Sequence, residues 1–418
     1  MRFFNCSNIS RRVVIASTIT TVLLMLLCYL ITNLGFSIDG EGGWVSKFNN
    51  NIKKIFGKTN TQIPDSVLFV NTIYDKELIP INDSDGFPVG VIDITNRESL
   101  YRFLSVLHKR NDYKYIFLDV FFEEGYDSPN DEKLFPLISE MRDIVIPMHR
   151  DAKLGHQEYL KSKAYLSDYT ATKKSSSFTK YEILVDSLKS VALHIYNDVT
   201  GHDIRQNGLM YVDDGRLCNS TLFARQIVNF TGAYDAEGNR NFYNLSADLL
   251  ADEEELATSP LLKDKYIFIG SMELNDIHST SEGSLPGVVI SANAFLSLTH
   301  GQHVIPYTLI FIIFAILFFI SLQIYSGNSL AAIFKKYVEK KHWKINPYIW
   351  SYIISWVSYI SLLSIVCIVS YMIYGVIYDI FFTATIFQNI DFFVGTSDQK
   401  EKGIGSKIKN FFLKLIFK

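Results

Sequence analysis

Long apolar stretches without charged side chains near both ends of the chain constrain its fold more than any other feature. The first covers residues 13–36 and follows Arg11 and Arg12. A helix of about 20 apolar residues crosses the hydrocarbon core of a bilayer. A signal peptide has a shorter apolar stretch and a small-residue cleavage site. Residues 13–36 therefore predict an uncleaved membrane anchor.

Apolar stretches after residue 305 predict three more membrane spans. The last two come from one stretch, residues 349–393, which is too long for a single crossing. Five lysines and one glutamate lie between residues 326 and 348, and basic loops stay on the cytoplasmic side of a membrane. This loop sets the predicted orientation of all four spans.

The predicted topology is that of a multi-pass protein of the inner (plasma) membrane with both termini in the cytoplasm. In chain order the segments are a cytoplasmic N-terminus (1–12), a transmembrane helix (13–36), an extracytoplasmic domain (37–305), a transmembrane helix (306–325), a cytoplasmic basic loop (326–348), two transmembrane helices (349–372 and 375–394) and a cytoplasmic basic tail (395–418).

Charged residues near the C-terminus are also predicted to lie at the membrane surface. Lysines and an apolar helical face in residues 395–418 favour an amphipathic helix on the lipid bilayer, with a helix that binds a partner protein as the alternative. Asp379 and Asp391 fall near the ends of the last span, where we expect both carboxylates to reach the lipid headgroups.

The extracytoplasmic domain alternates short β-rich runs with amphipathic segments. Strands are predicted at residues 67–71, 89–94, 115–120, 144–147 and 266–269, and helices at 97–110, 131–141, 246–255 and 286–301. This alternation predicts an α/β fold, a mixed sheet with helices, beside the four transmembrane α-helices. The pattern weakens between residues 150 and 221, which we interpret as an insertion. Cys218 is the only cysteine of the domain, so no disulfide is predicted within it.

A polar cluster follows the strand predicted at residues 266–269. It comes just beyond the carboxyl end of that strand, where α/β sheets usually bind ligands. An apolar helix then leads to the span at residues 306–325. Seven residues of this stretch are predicted to sense a ligand or to couple it to the membrane: Asn275, Asp276, His278, Thr280, Pro286, Gly287 and Asn293.

Acidic residues after another predicted strand raise the question of catalysis. Asp119 and Glu123 could join Asp276 and His278 in a metal or acid/base site. Turn residues that bond their own backbone are the interpretation that the sequence favours. No zinc, nucleophile or phosphate-loop spacing occurs, so no catalytic residue, metal or cofactor is predicted. Arg97 is predicted to be a buried partner of Asp119 in the core.

The order of several short motifs resembles the second CHASE family. The motifs are ITNR with Arg97, FLDVFFEE with Asp119, NFTG, YIFIG, NDIHST, LPG and SANA, and one span precedes the outer domain while three follow it. Members of this family are extracellular sensor domains associated with cyclases and histidine kinases. The resemblance implies a sensor that signals through the membrane.

We therefore expect a membrane-anchored sensory protein with an unknown small ligand and no output domain of its own, because residues 394–418 hold no kinase, cyclase or nucleotide motif. It would act through an unknown membrane or cytoplasmic signalling partner. A non-catalytic envelope scaffold and an envelope enzyme remain as alternatives, and homo-oligomerisation stays open. The net charge of −3 gives no argument for nucleic-acid binding.

Overall fold

The chain divides into two compact units in the computed structural model. The α/β unit is Ser46–His303, and the helical unit combines Met1–Val45 with Val304–Lys418. The structure describes residues 10–34, 48, 63–82, 87–168, 180–185, 187–223, 227–230, 232–235, 237–272, 276–280, 283–340, 347–376 and 380–392. Asn275, Asp379 and the predicted tail at 395–418 lie outside the described residues.

Seventeen strands are present in the described part of the α/β unit. They are β1 (Val67–Asn71), β2 (Lys76–Asn82), β3 (Pro88–Thr95), β4 (Tyr115–Leu118), β5 (Ile144–Met148), β6 (Ala164–Leu166), β7 (Lys180–Glu182), β8 (Leu184–Val185), β9 (Leu188–Lys189), β10 (Ile204–Asn207), β11 (Met210–Asp213), β12 (Arg216–Cys218), β13 (Thr221–Phe223), β14 (Tyr243–Asn244), β15 (Tyr266–Gly270), β16 (Ile277–Thr280) and β17 (Gly283–Pro286).

Helices occur in both units. Those of the α/β unit are α2 (Arg97–Arg110), α3 (Asp131–Glu140), α4 (Gln157–Leu160), α5 (Val191–Thr200), a π-helix (Leu245–Leu249), α6 (Glu253–Thr258) and α7 (Gly287–Thr299), with short 3₁₀ turns at Lys161–Lys163 and Pro260–Leu262. Those of the helical unit are α1 (Arg11–Thr32), α8 (Tyr307–Tyr325), α9 (Leu330–Lys340), α10 (Pro347–Tyr374) and α11 (Ile380–Ile390).

A six-stranded parallel sheet forms the centre of the α/β unit. Its spatial order is β14-β1-β15-β4-β5-β6, and each neighbouring pair is parallel. Phe69, Phe117 and Phe268 point to one face, whereas the intervening apolar residues point to the other. Both faces are covered, which explains why these strands are continuous apolar runs in the sequence. The predicted α/β fold is confirmed.

Two helical layers cover this sheet. Helices α2, α3, α4 and α6 and the π-helix contribute apolar side chains to the core on one face. Helices α5 and α7 contribute to the core on the other face. Every residue of α7 from Gly287 to Leu298 is buried, as expected for a helix that is apolar all round.

Helix ends follow the capping rules. Asn96 accepts a hydrogen bond from the Ser99 N–H at 2.8 Å and so begins α2, the helix predicted at residues 97–110. The helix predicted at residues 246–255 is instead two elements, the π-helix and α6, and Asp252 caps the second of them through the Glu255 N–H at 2.9 Å.

Two parts of the α/β unit differ from prediction. The strand predicted at residues 89–94 pairs antiparallel with β2 in a hairpin and does not join the central sheet. The stretch at residues 150–221 is not an insertion, because it supplies β6 to the central sheet and α5 to the core. A strand of three residues and a helix of ten are too short to give a clear hydrophobic period.

The described part of the helical unit holds three helices that are long and apolar enough to cross a membrane. They are Arg11–Thr32, Tyr307–Tyr325 and Ile349–Tyr374. They agree with three of the four predicted spans. Helix α11 covers 11 residues of the fourth, and residues 377–379 and 393–394 of that span lie outside the described part.

Hydrogen bonds between side chains join the helices of this unit. The Thr20 hydroxyl lies 2.9 Å from the Tyr325 hydroxyl, which links α1 to α8. The Cys28 sulfur lies 2.9 Å from the Thr383 hydroxyl, which links α1 to α11. Polar side chains that pair between helices supply each other with hydrogen bonds that lipid chains cannot provide.

Asp391 does not reach toward headgroups, so that expectation is wrong. The residue is fully buried, and its Oδ2 accepts hydrogen bonds from the Tyr359 hydroxyl at 2.8 Å and from the Ala331 N–H at 3.1 Å. Unpaired N–H groups in the first turn of a helix attract a carboxylate. The N-terminus of α9 therefore provides Asp391 with a partner that the sequence pattern does not show.

Asn293 anchors the buried helix α7 to a neighbouring loop. Its Oδ1 accepts hydrogen bonds from the Ile227 N–H at 2.8 Å and the Val228 N–H at 2.7 Å, and its Nδ2 donates to the Val228 carbonyl at 2.9 Å. The side chain is 4% exposed. The backbone groups of Ile227 and Val228 have these hydrogen-bond partners only while the Asn293 side-chain amide is present.

The change Asn293→Ala should lower the free energy of unfolding by about 3 kcal/mol, because it leaves backbone N–H groups without an acceptor. Urea unfolding of the full chain in detergent micelles, followed by circular dichroism, measures the effect. Asn207→Ala, on an exposed strand position, is the matched control. Equal stabilities for the two variants would contradict the anchoring role.

A buried carboxylate holds the last residue of the α/β unit. Asp213 accepts from His303 Nε2 at 2.8 Å, from His202 Nδ1 at 3.0 Å and from the Tyr196 hydroxyl at 3.2 Å, and both Asp213 and His303 are fully buried. Burial alone would raise the pKa of Asp213, but the hydrogen bonds from His303 and His202 outweigh it and lower the pKa to about 2.

This cluster predicts a loss of stability in acid. The folded-state pKa of Asp213 lies below the ordinary value of 3.8, so the cluster stabilises the fold above pH 3.8, and this contribution, about 2 kcal/mol, is lost as the pH falls toward 2. Urea unfolding at a series of pH values should show the loss in the wild type and not in Asp213→Asn. If the two proteins share one pH profile, the assignment is wrong.

Candidate functional site

A pocket opens at the carboxyl edge of the central sheet, where β15, β4, β5 and β6 end. Its volume is about 540 Å³. Its lining residues lie at or just after the ends of these strands: Asp119, Phe121, Pro147, His149, Arg150, Asp151, Ser167, Asp168, Asp276 and His278. Parallel strands bring their carboxyl ends to one edge, so the pocket lies where the sequence places the polar cluster.

Asp276 connects the pocket wall to helix α7. Its Oδ2 accepts a hydrogen bond from the Gly287 N–H at 3.1 Å, and its Oδ1 lies 2.9 Å from His278 Nε2. A carboxylate at a helix N-terminus is stabilised by the N–H groups of the first turn and by the helix dipole. Asp276 is therefore both a wall of the pocket and the cap of a buried helix.

Gly287 leaves the space that Asp276 occupies. A Cβ atom at this position would lie 2.6 Å from Asp276 Oδ2, well inside van der Waals contact. Pro286 precedes it in an extended conformation at φ −60° and begins the helix. The Pro-Gly pair of the sequence thus starts α7 and admits the carboxylate that caps it.

Asp119 follows β4 and faces Asp276. Its backbone N–H donates to the Ile269 carbonyl at 2.7 Å, so it extends the pairing of β4 with β15. Burial and then the negative charge of Asp276 raise the pKa of Asp119 well above its ordinary value. Asp119 therefore holds its proton to a higher pH than an exposed aspartate does.

Arg97 is buried in the core, but its ion pair is not with Asp119. Arg97 Nε lies 3.3 Å from Asp131 Oδ1, and the guanidinium lies 4.5 Å above the Phe122 ring. The predicted pairing with Asp119 is wrong, because the end of β4 directs Asp119 toward the pocket while α3 brings Asp131 to α2.

A second histidine–aspartate pair forms the opposite wall. His149 Nδ1 lies 2.9 Å from Asp168 Oδ1, and Asp168 Oδ2 accepts from the Arg150 N–H at 3.1 Å. The Arg150 guanidinium lies 3.5 Å from Asp168 and 3.7 Å from Glu182. Sequence reasoning missed this wall. His149 and Arg150 follow a predicted strand and could have been found by the argument used for Asp276.

The other predicted residues lie outside the pocket. The Thr280 hydroxyl donates to the Gly283 carbonyl at 2.7 Å and so links β16 to β17. Asn293 anchors α7 to its neighbouring loop. Glu123 forms an isolated bridge with Leu154 and does not line the pocket. The sensing or coupling roles predicted for Thr280 and Asn293 stay predictions.

One group among the described residues has the spacing of a metal site. Ligand atoms of Asp127, Asp131 and His156 all lie within 4.8 Å of one another. Arg97, whose side chain is 2% exposed, already pairs with Asp131 at 3.3 Å. A buried guanidinium beside the carboxylate would repel a metal ion, so these residues do not fit a metal.

The pocket thus brings polar side chains together from the ends of four strands. It combines two histidine–aspartate pairs, a carboxyl group whose pKa is raised, and an aromatic ring, Phe121, against His149 at 4.8 Å between ring centroids. Polar groups that converge in a cavity of this size are typical of small-molecule sites.

Comparison with known proteins gives one family. The family described as CHASE2 domain matches residues 88–324, which is more than half of the chain and includes every residue that lines the pocket. No curated protein matches the chain. No solved structure matches it.

The change Gly287→Ala should destabilise the fold by about 1 kcal/mol. Alanine favours a helix, but its Cβ displaces the Asp276 carboxylate, and loss of a cap costs roughly 0.5–2 kcal/mol. Gly90→Ala, where a Cβ has open space, is the matched control in urea unfolding. If Gly287→Ala is as stable as the control, Asp276 is not a necessary cap.

Proposed function

We propose, since the chain belongs to the CHASE2 domain family, that it is a membrane-anchored sensor which detects a small ligand in the pocket at the carboxyl edge of its central sheet. Membership of this family supports an extracellular sensory role for the α/β unit. Apolar helices before and after that unit fit an anchor in the membrane.

The observation that carries this proposal is the double role of Asp276. The same carboxylate lines the pocket and caps α7. A ligand that competes for Asp276 therefore changes the stability of the N-terminus of α7. In the chain, residues 300–306 alone separate α7 from the membrane-spanning helix α8, so a change in α7 has a short covalent path to the membrane.

The proposed topology places the α/β unit outside the inner membrane and both termini in the cytoplasm. Arg11 and Arg12 before the first span and the lysines around α9 support it, since basic residues stay on the cytoplasmic side. The output belongs to a signalling partner in this proposal. The described residues after α8 form only the helices α9, α10 and α11, whose exposed apolar side chains could contact such a partner.

Cells that carry Asp151→Trp test the sensory function. Asp151 is an exposed residue of the pocket wall, so an indole there fills the pocket without disturbing the core. Transcript profiling should show that this variant alters the same genes as deletion of the protein, whether in the same or the opposite direction.

Asp93→Trp, at an exposed position of β3 outside the pocket, is the matched control and should leave expression unchanged. A transcript profile of Asp151→Trp equal to that of the wild type, when deletion has a clear effect, would refute ligand sensing in this pocket. It would favour a scaffold that binds no small ligand.

A further inference from the structure

The pocket offers a ligand more negative than positive charge. Besides Asp119, whose pKa is raised, three of its lining residues are aspartates, Asp151, Asp168 and Asp276, and one is an arginine. Arg150 already forms ion pairs, because its guanidinium lies 3.5 Å from Asp168 and 3.7 Å from Glu182. An anionic ligand would therefore meet repulsion without a cation that is available to offset it.

The histidines do not reverse this balance. His149 Nδ1 lies 2.9 Å from Asp168, and His278 Nε2 lies 2.9 Å from Asp276. Each histidine is therefore already paired with an aspartate of the pocket wall.

The remaining features fit an organic cation better than a metal ion. Phe121 presents an aromatic ring to the pocket, and such rings attract alkylammonium groups. Among the described residues, three metal-ligating atoms converge only at Asp127, Asp131 and His156, outside the pocket. The volume of about 540 Å³ suits a molecule of several heavy atoms.

We propose that the pocket binds a small organic ammonium ion between the carboxylates of Asp276 and Asp151 and the ring of Phe121, an inference that rests on the proposed sensory function. The ammonium group donates to the carboxylates, and the alkyl part packs against the ring. At Asp276, the ammonium group contacts the same carboxylate oxygens that bond to His278 and to the Gly287 N–H.

A proton should leave the pocket when the ammonium ion binds. Burial and Asp276 raise the pKa of Asp119, and a cation nearby favours the ionised carboxylate. Affinity should therefore increase as the pH rises through the pKa of Asp119. The other charged or titratable groups that line the pocket are His149, Arg150, Asp151, Asp168, Asp276 and His278.

Calorimetric titration of the purified full chain in detergent micelles tests the proposal. The probes are n-butylamine, n-butanol, sodium butyrate and magnesium chloride. They distinguish binding of an ammonium ion from binding of a neutral molecule, an anion or a metal ion. Only n-butylamine should bind. Titration in two buffers with different ionisation enthalpies should show proton release, and Asp119→Asn should abolish that release.

Variants of the carboxylates locate the site. Asp151→Asn and Asp276→Asn should each weaken n-butylamine binding by about tenfold or more, since each removes a charge-assisted hydrogen bond. Asp151 is exposed, so its variant stays informative if Asp276→Asn folds poorly. Asp93→Asn makes the same change outside the pocket and should bind as the wild type does.

Several results would overturn the proposal. Binding of butyrate or butanol in place of the amine would assign another ligand class, and magnesium binding that Asp151→Asn abolishes would assign a metal site. Failure of every probe to bind would also refute the ammonium site. The transcript profile of Asp151→Trp tests the sensory function separately. The sensory function can therefore be supported even if the ammonium ligand is refuted.

Discussion

The pairing of β15 between β1 and β4 is the interaction on which the α/β unit depends. Residues 266–270 bond to strands that lie some 150 to 200 positions earlier in the chain, and their side chains enter the cores on both faces of the sheet. The same strand ends beside Asp119 and leads into Asp276 and α7. One buried strand therefore completes the core, brings the pocket walls together and starts the connection to the membrane.

Buried polar groups fix the positions of elements that apolar packing alone would leave free to shift. Asn293 anchors α7, Asp213 anchors the segment that ends at His303, and Asp391 holds the N-terminus of α9. Each meets N–H donors of the backbone or of a histidine, and a buried polar group without such partners is costly. Specific geometry in both units thus comes partly from a few hydrogen-bonded buried polar residues.

The sequence predicts those parts of the fold that local patterns determine. Continuous apolar runs give β1, β4, β5 and β15, the Asn96 cap gives α2, and the Pro-Gly pair gives α7. Short or paired elements such as β6 and β2 lack a pattern of their own. Partnerships depend on tertiary contacts, so Arg97 with Asp131 and His149 with Asp168 could not be derived. The pocket wall that follows β4, β5 and β15 was predictable from strand ends, and the part that follows β6, Ser167 and Asp168, was not.

The central place of a strand that comes late in the chain has a consequence for biogenesis. An outer domain emerges from the translocation machinery from its N-terminus onward, and β1 and β4 emerge long before β15. Their facing edges lack their native partner until residues 266–270 arrive, and unpaired apolar strand edges are prone to aggregation. The facing edges of β1 and β4 are therefore most exposed to aggregation in the period before β15 is made.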